Sequence, residues 1–231
     1  MLDGSKGKIA AVCAIAGNIL LIIGTYFHPV PADPNDAVMA FTEYAGDRLW
    51  VASHLMQLAG VVLILTALIV IADLQQAVSS SFYYRIAAAG AIACIVIAAA
   101  LQAIDGIALK RAVNVWSAAP MAKKDIAFYA ALAIRQAEVG LASTLSMLLG
   151  VTAALYGLAM LGDDSFPNWV AALAVLGGAA TAVTGVVMAY TGFSAMEMLI
   201  SMPANCVLLL WMLIIGILMW RADGRWTTPK V

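Results

Sequence analysis

Segment 58–72, LAGVVLILTALIVIA, carries no charge and a single hydroxyl, which suits the interior of a membrane better than a water-soluble fold. Preceded by WVASHLMQ, it is long enough at ~1.5 Å per residue to cross most of a ~30 Å hydrocarbon core as a helix. Five further apolar runs behave in the same way, so spans are read at about 9–27, 50–72, 86–109, 136–161, 169–190 and 204–220. A chain in lipid must satisfy its own backbone hydrogen bonds, which long uninterrupted runs do as helices. The expected fold is therefore an all-α polytopic membrane protein: a bundle of six transmembrane helices forming a single transmembrane domain over residues 1–231, with the lipid bilayer as its first partner. Composition agrees, since 64% of residues are hydrophobic and 11% charged, against about 45–50% apolar and about 25% charged in soluble domains.

Several classes of function fall away at this point. A net charge of −1 supplies no basic surface for nucleic acid. Cys13, Cys94 and Cys206 lie in or beside apolar runs without CxxC or CxxCH spacing, which argues against a disulfide framework, a zinc ribbon or covalent haem attachment. Ser53 adjoins His54, but neighbouring helical residues point about 100° apart and make a poor nucleophile–base pair. Nothing in the residues identifies a catalytic group, and the reading leans away from an enzyme.

The first apolar run is long for a signal-peptide core and no convincing small-residue cleavage site follows it, so it is read as a span. Between the first two spans, Asp33 is expected to cap a short interfacial helix with Pro34 in its first turn, and Val38, Phe41 and Tyr44 or Ala45 recur at helical spacing. The third span is rich in alanine, with Gly90 and Gly106, and is expected to be central; the fifth offers Gly177, Gly178 and Gly185 as a packing face. Helical pattern runs from residue 125 to 161, roughly 55 Å, so its first turns must project, tilt or break. Lys6 and Lys8 precede the first span and no Lys or Arg follows until Arg48, which places both termini in the cytoplasm.

Connectors 1/2, 3/4 and 5/6 then share one face, and the ionisable residues inside the spans gather there. Three pairs spaced i, i+3 stand out: His54 with Gln57, Gln102 with Asp105, and Arg135 with Glu138. An ionised side chain at the bilayer centre costs about 2.5–3.5 kcal/mol on insertion scales, so such residues turn inward and find partners. The expectation is a hydrogen-bonded network of Asp105, Arg135 and Glu138 with His54 and Gln57, lining an extracytoplasmic cavity, with Arg135 as an anion contact. Two plainer readings stand beside it: Arg135 and Glu138 as a simple intrahelical pair, and Asp105 paired with Lys110 at the surface.

His28, His54, Asp105 and Glu138 also supply ligand types that suit zinc, iron or copper, and a bis-histidine haem needs His28 and His54 on opposing faces. No HExxH-type motif is present, so the identity of any cofactor stays open. Met188, Met196, Met198, Met202 and Cys206 lie near the same mouth and offer soft ligands for Cu(I), although methionine in a membrane helix is usually packing.

FHP closing the first span, WVASH opening the second, AIDG late in the third and RQAE entering the fourth together resemble uncharacterised six-helix bacterial membrane proteins grouped as domains of unknown function. The resemblance implies the same fold class and a bacterial inner membrane, and no activity. The leading functional expectation is a cavity that binds a small molecule or ion, as a transporter would. The alternatives are a metal- or haem-binding oxidoreductase subunit, and an accessory subunit packing through its small-residue faces against other membrane proteins or a second copy.

Overall fold

The computed structural model describes residues 2–28, 32–76, 80–162 and 165–221. All regular structure among them is helical: α1 (Leu2–Tyr26), α2 (Ala37–Gly46), α3 (Trp50–Leu74), α4 (Ser81–Gln102), a π-helical segment (Ala103–Leu109), α5 (Lys110–Ala118), α6 (Met121–Leu161), α7 (Asn168–Thr191) and α8 (Ala195–Arg221). Six continuous helical stretches are long and apolar enough to cross a membrane. The protein is an all-α polytopic bundle.

The helices pack in a ring-like order, α3 on α1 and α4, α1 on α8, α8 on α7, α7 on α6 and α6 on α4. Small residues set the closest approaches. A Cβ on Gly178 would lie 2.5 Å from the Gly150 carbonyl oxygen and 2.6 Å from the Ala154 nitrogen of α6, and one on Gly185 would lie 2.6 Å from the Ser143 oxygen. A second face of α7, about 100° round the helix, turns Gly177 toward Val207 and Leu208 of α8. The glycine faces of α7 are thus consumed within the monomer, which removes their motive as docking faces for another membrane protein.

Some details depart from the sequence reading. The third helical stretch does not stop at residue 109 but continues through the π segment to Ala118, while α6 starts at Met121, four residues before the expected helical pattern, with its first turns projecting as expected. The added turns are stable because α5 and the start of α6 fold against α2, burying Phe41, Tyr44, Trp50, Leu109, Val113, Trp116 and Ala131 in a second, smaller core. The 41-residue α6 is therefore longer than any hydrocarbon core requires at ~1.5 Å per residue, and its first turns project to carry this cap. Helix α4 is peripheral, with 22% of its most apolar window buried, the smallest share among the six; its alanines allow close approach to α6 without enclosing it on other sides.

The cap of α2 is also shifted. Asp36, not Asp33, accepts from the backbone N–H groups of Val38 and Met39, each at 3.1 Å, while Asp33 closes the preceding turn by accepting from Asn35 N at 2.9 Å. Val38 is exposed, and Ala40 joins Phe41 and Tyr44 on the buried face. At the far end of α2, Lys110 donates to the carbonyls of Tyr44, Ala45 and Asp47. It serves the C-terminal carbonyls of a helix, which overturns the Asp105–Lys110 surface pair.

The α6–α7 contact leads to a stability test. Gly178→Val should lower stability by about 1–3 kcal/mol or more, because the new atoms meet backbone that cannot move aside. Gly140→Ala, at a helical position with no neighbour within 4 Å of its added Cβ, should be neutral or slightly stabilising. Thermal unfolding of both variants in detergent checks this, and equal effects would contradict the packing described.

Candidate functional site

The polar mouth forms where α1 ends, α3 begins, the π segment passes, and the α7–α8 turn closes over α6. A cavity of about 550 Å³ opens there, lined by His28, the 32–35 turn, Glu43, Tyr44, Asp105, Arg135, Glu138, Phe193, Ala195 and Met198. This volume falls within the range of about 300–1,000 Å³ usual for small-molecule sites. All of the lining comes from one end of the bundle; the other end is filled by Leu68, Ile71, Tyr84, Tyr156 and their neighbours.

Two buried pairs form the wall. His54, 1% exposed, places Nε2 3.0 Å from Asp105 Oδ2, while its Nδ1 lies 2.6 Å from the Trp50 carbonyl oxygen. That oxygen can only accept, so Nδ1 carries a proton. The Trp50 indole N–H in turn donates to the Asp105 backbone carbonyl at 3.1 Å. Trp50 thus fixes both members of the pair, and its ring stacks on His54 with centroids 4.5 Å apart.

Arg135 and Glu138, 7% and 2% exposed, pair at 2.6 Å along one face of α6. The intrahelical reading of this pair therefore holds, but the pair is buried and tied to other elements. Arg135 also reaches the Pro34 carbonyl at 3.4 Å and lies under the Phe193 ring, 4.6 Å from its centroid, and more distantly over Tyr44. Gly192 ends α7 at φ +65°, a left-handed geometry suited to glycine, and that turn delivers Phe193 onto the guanidinium. Burial pushes the Tyr44 hydroxyl up to about 12 against the opposing influence of Arg135.

The arrangement differs from a single network of five groups. Asp105, Arg135 and Glu138 line a common cavity with His54 behind Asp105, and the two hydrogen-bonded pairs have no direct bond to each other among the described residues. Gln57, about 60° round the helix from His54, faces α1, its Cγ packed where a Cβ on Gly24 would come within 2.9 Å. Gln102 and Asp105 lose their common face because the π segment begins between them, and neither glutamine lines the cavity. Arg135 lines the cavity while being held by Glu138, the Pro34 carbonyl and two rings. Four carboxylates, Asp33, Glu43, Asp105 and Glu138, line the cavity against this one guanidinium.

The metal candidates separate in a similar way. His28, His54 and Asp105 each bring a ligand atom within 4.8 Å of the others'. A haem between the two histidines does not fit, because their rings are in contact at 4.9 Å between centroids, with no slot for a macrocycle. The soft-ligand set also disperses: Met198 lines the cavity, Met188 is buried, and Met196, Met202 and Cys206 are exposed. Ser53 Oγ lies 3.4 Å from His54 Nδ1, yet its hydroxyl donates to the Trp50 carbonyl at 2.8 Å and is fully buried. It is unavailable as a nucleophile.

Sequence reasoning missed Trp50, Lys110 and Phe193 as organisers of the site. Trp50 had a usable signal in its i, i+4 relation to His54 within WVASH, whereas Phe193 depends on a turn between two spans and had none.

The buried ion pair predicts an asymmetric pair of variants. Arg135→Met should cost about 3–5 kcal/mol by leaving Glu138 unpaired, and adding Glu138→Leu should restore most of that loss. Unfolding of both in detergent checks it; a double variant as unstable as the single one would mean the pair is not the stabilising unit. Comparison with protein-family models, with curated proteins and with solved structures returned no match.

Proposed function

We propose that this integral membrane protein binds a small cation in the cavity at the polar mouth of its bundle. The supporting observation is the charge balance of the lining, four carboxylates against a single arginine, with that arginine already committed to Glu138 and two aromatic faces. A cavity with excess negative charge and low-dielectric walls concentrates positive solutes and repels anions. Tyr44 and Phe193 line the cavity but already face Arg135, so the carboxylates carry the attraction for a cation.

The cavity face is extracytoplasmic in this reading, because the lysines before α1 hold the N-terminus in the cytoplasm and His28 lies at the opposite end of that helix. A bacterial inner membrane follows from the resemblance carried by the FHP, WVASH, AIDG and RQAE segments. Capture of a cation from the outer compartment is the activity proposed; passage across the bilayer would require a second arrangement of the packed lower half.

Thermal unfolding in detergent with tetramethylammonium chloride, against sodium chloride at equal ionic strength, tests the assignment. The tetramethylammonium ion should raise the midpoint, with a stabilisation of about 2.7 kcal/mol at one hundred times Kd. The double variant Asp33→Asn/Glu43→Gln should abolish the shift while keeping the acceptors that hold the turn, since Glu43 accepts from Ala32 N at 3.1 Å. No shift in the wild type, or an equal shift in the double variant, would overturn the reading.

A further inference from the structure

We propose that His28, His54 and Asp105 form a binding site for a divalent transition-metal ion of the zinc or ferrous class in the wall of this cavity. The inference deepens the cation-binding reading and rests on it, but its geometry is separate.

The first support is the state of His54. Its Nδ1–H is committed to the Trp50 carbonyl at 2.6 Å, which leaves the Nε2 lone pair directed at Asp105 Oδ2, 3.0 Å away. A neutral imidazole lone pair facing a carboxylate oxygen is repulsive unless a positive charge lies at the contact. A proton on Nε2 meets that need for Oδ2. It does nothing for Asp105 Oδ1, which is buried with no hydrogen-bond partner among the described residues. A metal ion answers both demands, because a carboxylate can present either or both oxygens to it.

Distances agree with shared coordination. Two adjacent ligand atoms on an ion with bonds of about 2.0–2.2 Å lie roughly 2.8–3.1 Å apart at a right angle and about 3.3–3.6 Å apart at the tetrahedral angle, so the His54–Asp105 separation of 3.0 Å needs little movement to become shared coordination. The His28 ligand atom lies within 4.8 Å of both, near enough for side-chain rotation to complete the set. The supporting shell is also of the type metal histidines use, with the second ring nitrogen donating to a backbone carbonyl to fix the tautomer. Trp50 supplies that carbonyl, stacks on the ring, and anchors the Asp105 peptide through its indole N–H.

Ligand chemistry selects the class of ion. Two imidazoles and one carboxylate suit zinc, ferrous iron and their neighbours, and no thiolate or thioether joins the set to favour Cu(I). Three protein ligands leave coordination positions unfilled, and because His28 and Asp105 both line the cavity, those positions face it. Glu138 lines the same space with Oε2 buried and without a hydrogen-bond partner among the described residues, although its charge is matched by Arg135.

The test uses the full chain purified in detergent, stripped with chelator and titrated with Co²⁺, which reports coordination through its visible absorption. About one ion per chain should bind, with histidine-nitrogen ligation in the spectrum, and Zn²⁺ should displace it. His28→Gln and Asp105→Asn, which keep side-chain size, should each weaken Co²⁺ binding at least about tenfold while both stripped variants keep the wild-type helical circular dichroism at the titration temperature. Absence of Co²⁺ and Zn²⁺ binding by the wild type, or unchanged affinity in both variants, would overturn the site. Tetramethylammonium cannot be coordinated by this triad, so a protein that binds it and ignores Co²⁺ and Zn²⁺ would refute the metal site alone. One that fails with all three would refute the cavity reading as well.

Discussion

The polar end of this bundle depends on one constraint: ionisable groups on membrane helices must meet partners before lipid meets them. An unpaired charge at depth costs about 2.5–3.5 kcal/mol on insertion scales, comparable with a sizeable part of a domain's whole stability. The chain meets the constraint at one mouth. His54 on α3 is answered by Asp105 in the π segment, and Arg135 on α6 by Glu138 one turn on. Each pair is then tied to another element: the Trp50 indole of α3 donates to the Asp105 carbonyl of the π segment, and Arg135 donates to the Pro34 carbonyl. The pairs are therefore cross-links between elements, and the cavity is the space left between two cross-linked walls.

The other half of the bundle is assembled by different means. Hydrophobic burial gives little drive for helix association inside lipid, so close packing of small residues does more. Gly150 and Gly178 bring the backbones of α6 and α7 into contact, Ser143 donates across the same interface to the Gly185 carbonyl at 2.9 Å, and Tyr156 donates to the Leu68 carbonyl at 2.9 Å. A tightly packed, apolar half is a rigid support. It allows the mouth to retain buried carboxylate oxygens without partners that a looser bundle would rotate toward water.

Much of this was legible from residue order, for identifiable reasons. Spans are legible because the bilayer imposes a length and an apolarity that few other segments share, and the clustering of His54, Asp105, Arg135 and Glu138 at one end follows from counting alternate connectors. What periodicity could not supply is the direction of each side chain once a helix departs from regular geometry or meets a specific neighbour. Gln57 shows the second limit: a face shared with His54 to within about 60° still placed it against α1, where Gly24 admits it. The length of the third span shows another. The span is expected to end near 109, but Lys110 just beyond it satisfies the carbonyls at the end of α2, and the helix continues past it into a cap that only tertiary packing makes stable.

The π segment shows why the site lies where it does. A π turn weakens the regular hydrogen-bond ladder and recurs at functional positions, so its presence needs a compensating gain, and here the gain is visible. Opening the helix at Ala103–Leu109 leaves the Asp105 carbonyl to accept from the Trp50 indole and turns the Asp105 carboxylate onto His54. Gly106 completes the arrangement, since a Cβ there would stand 2.7 Å from the Cβ of His54 and force α3 and the π segment apart. The short sequence AIDG therefore carries three conditions at once: a distorted ladder, a carboxylate on its inner side, and a missing side chain where the histidine passes. A helix that only had to cross a bilayer would need none of them, which makes this distortion the strongest argument that the mouth exists to hold something.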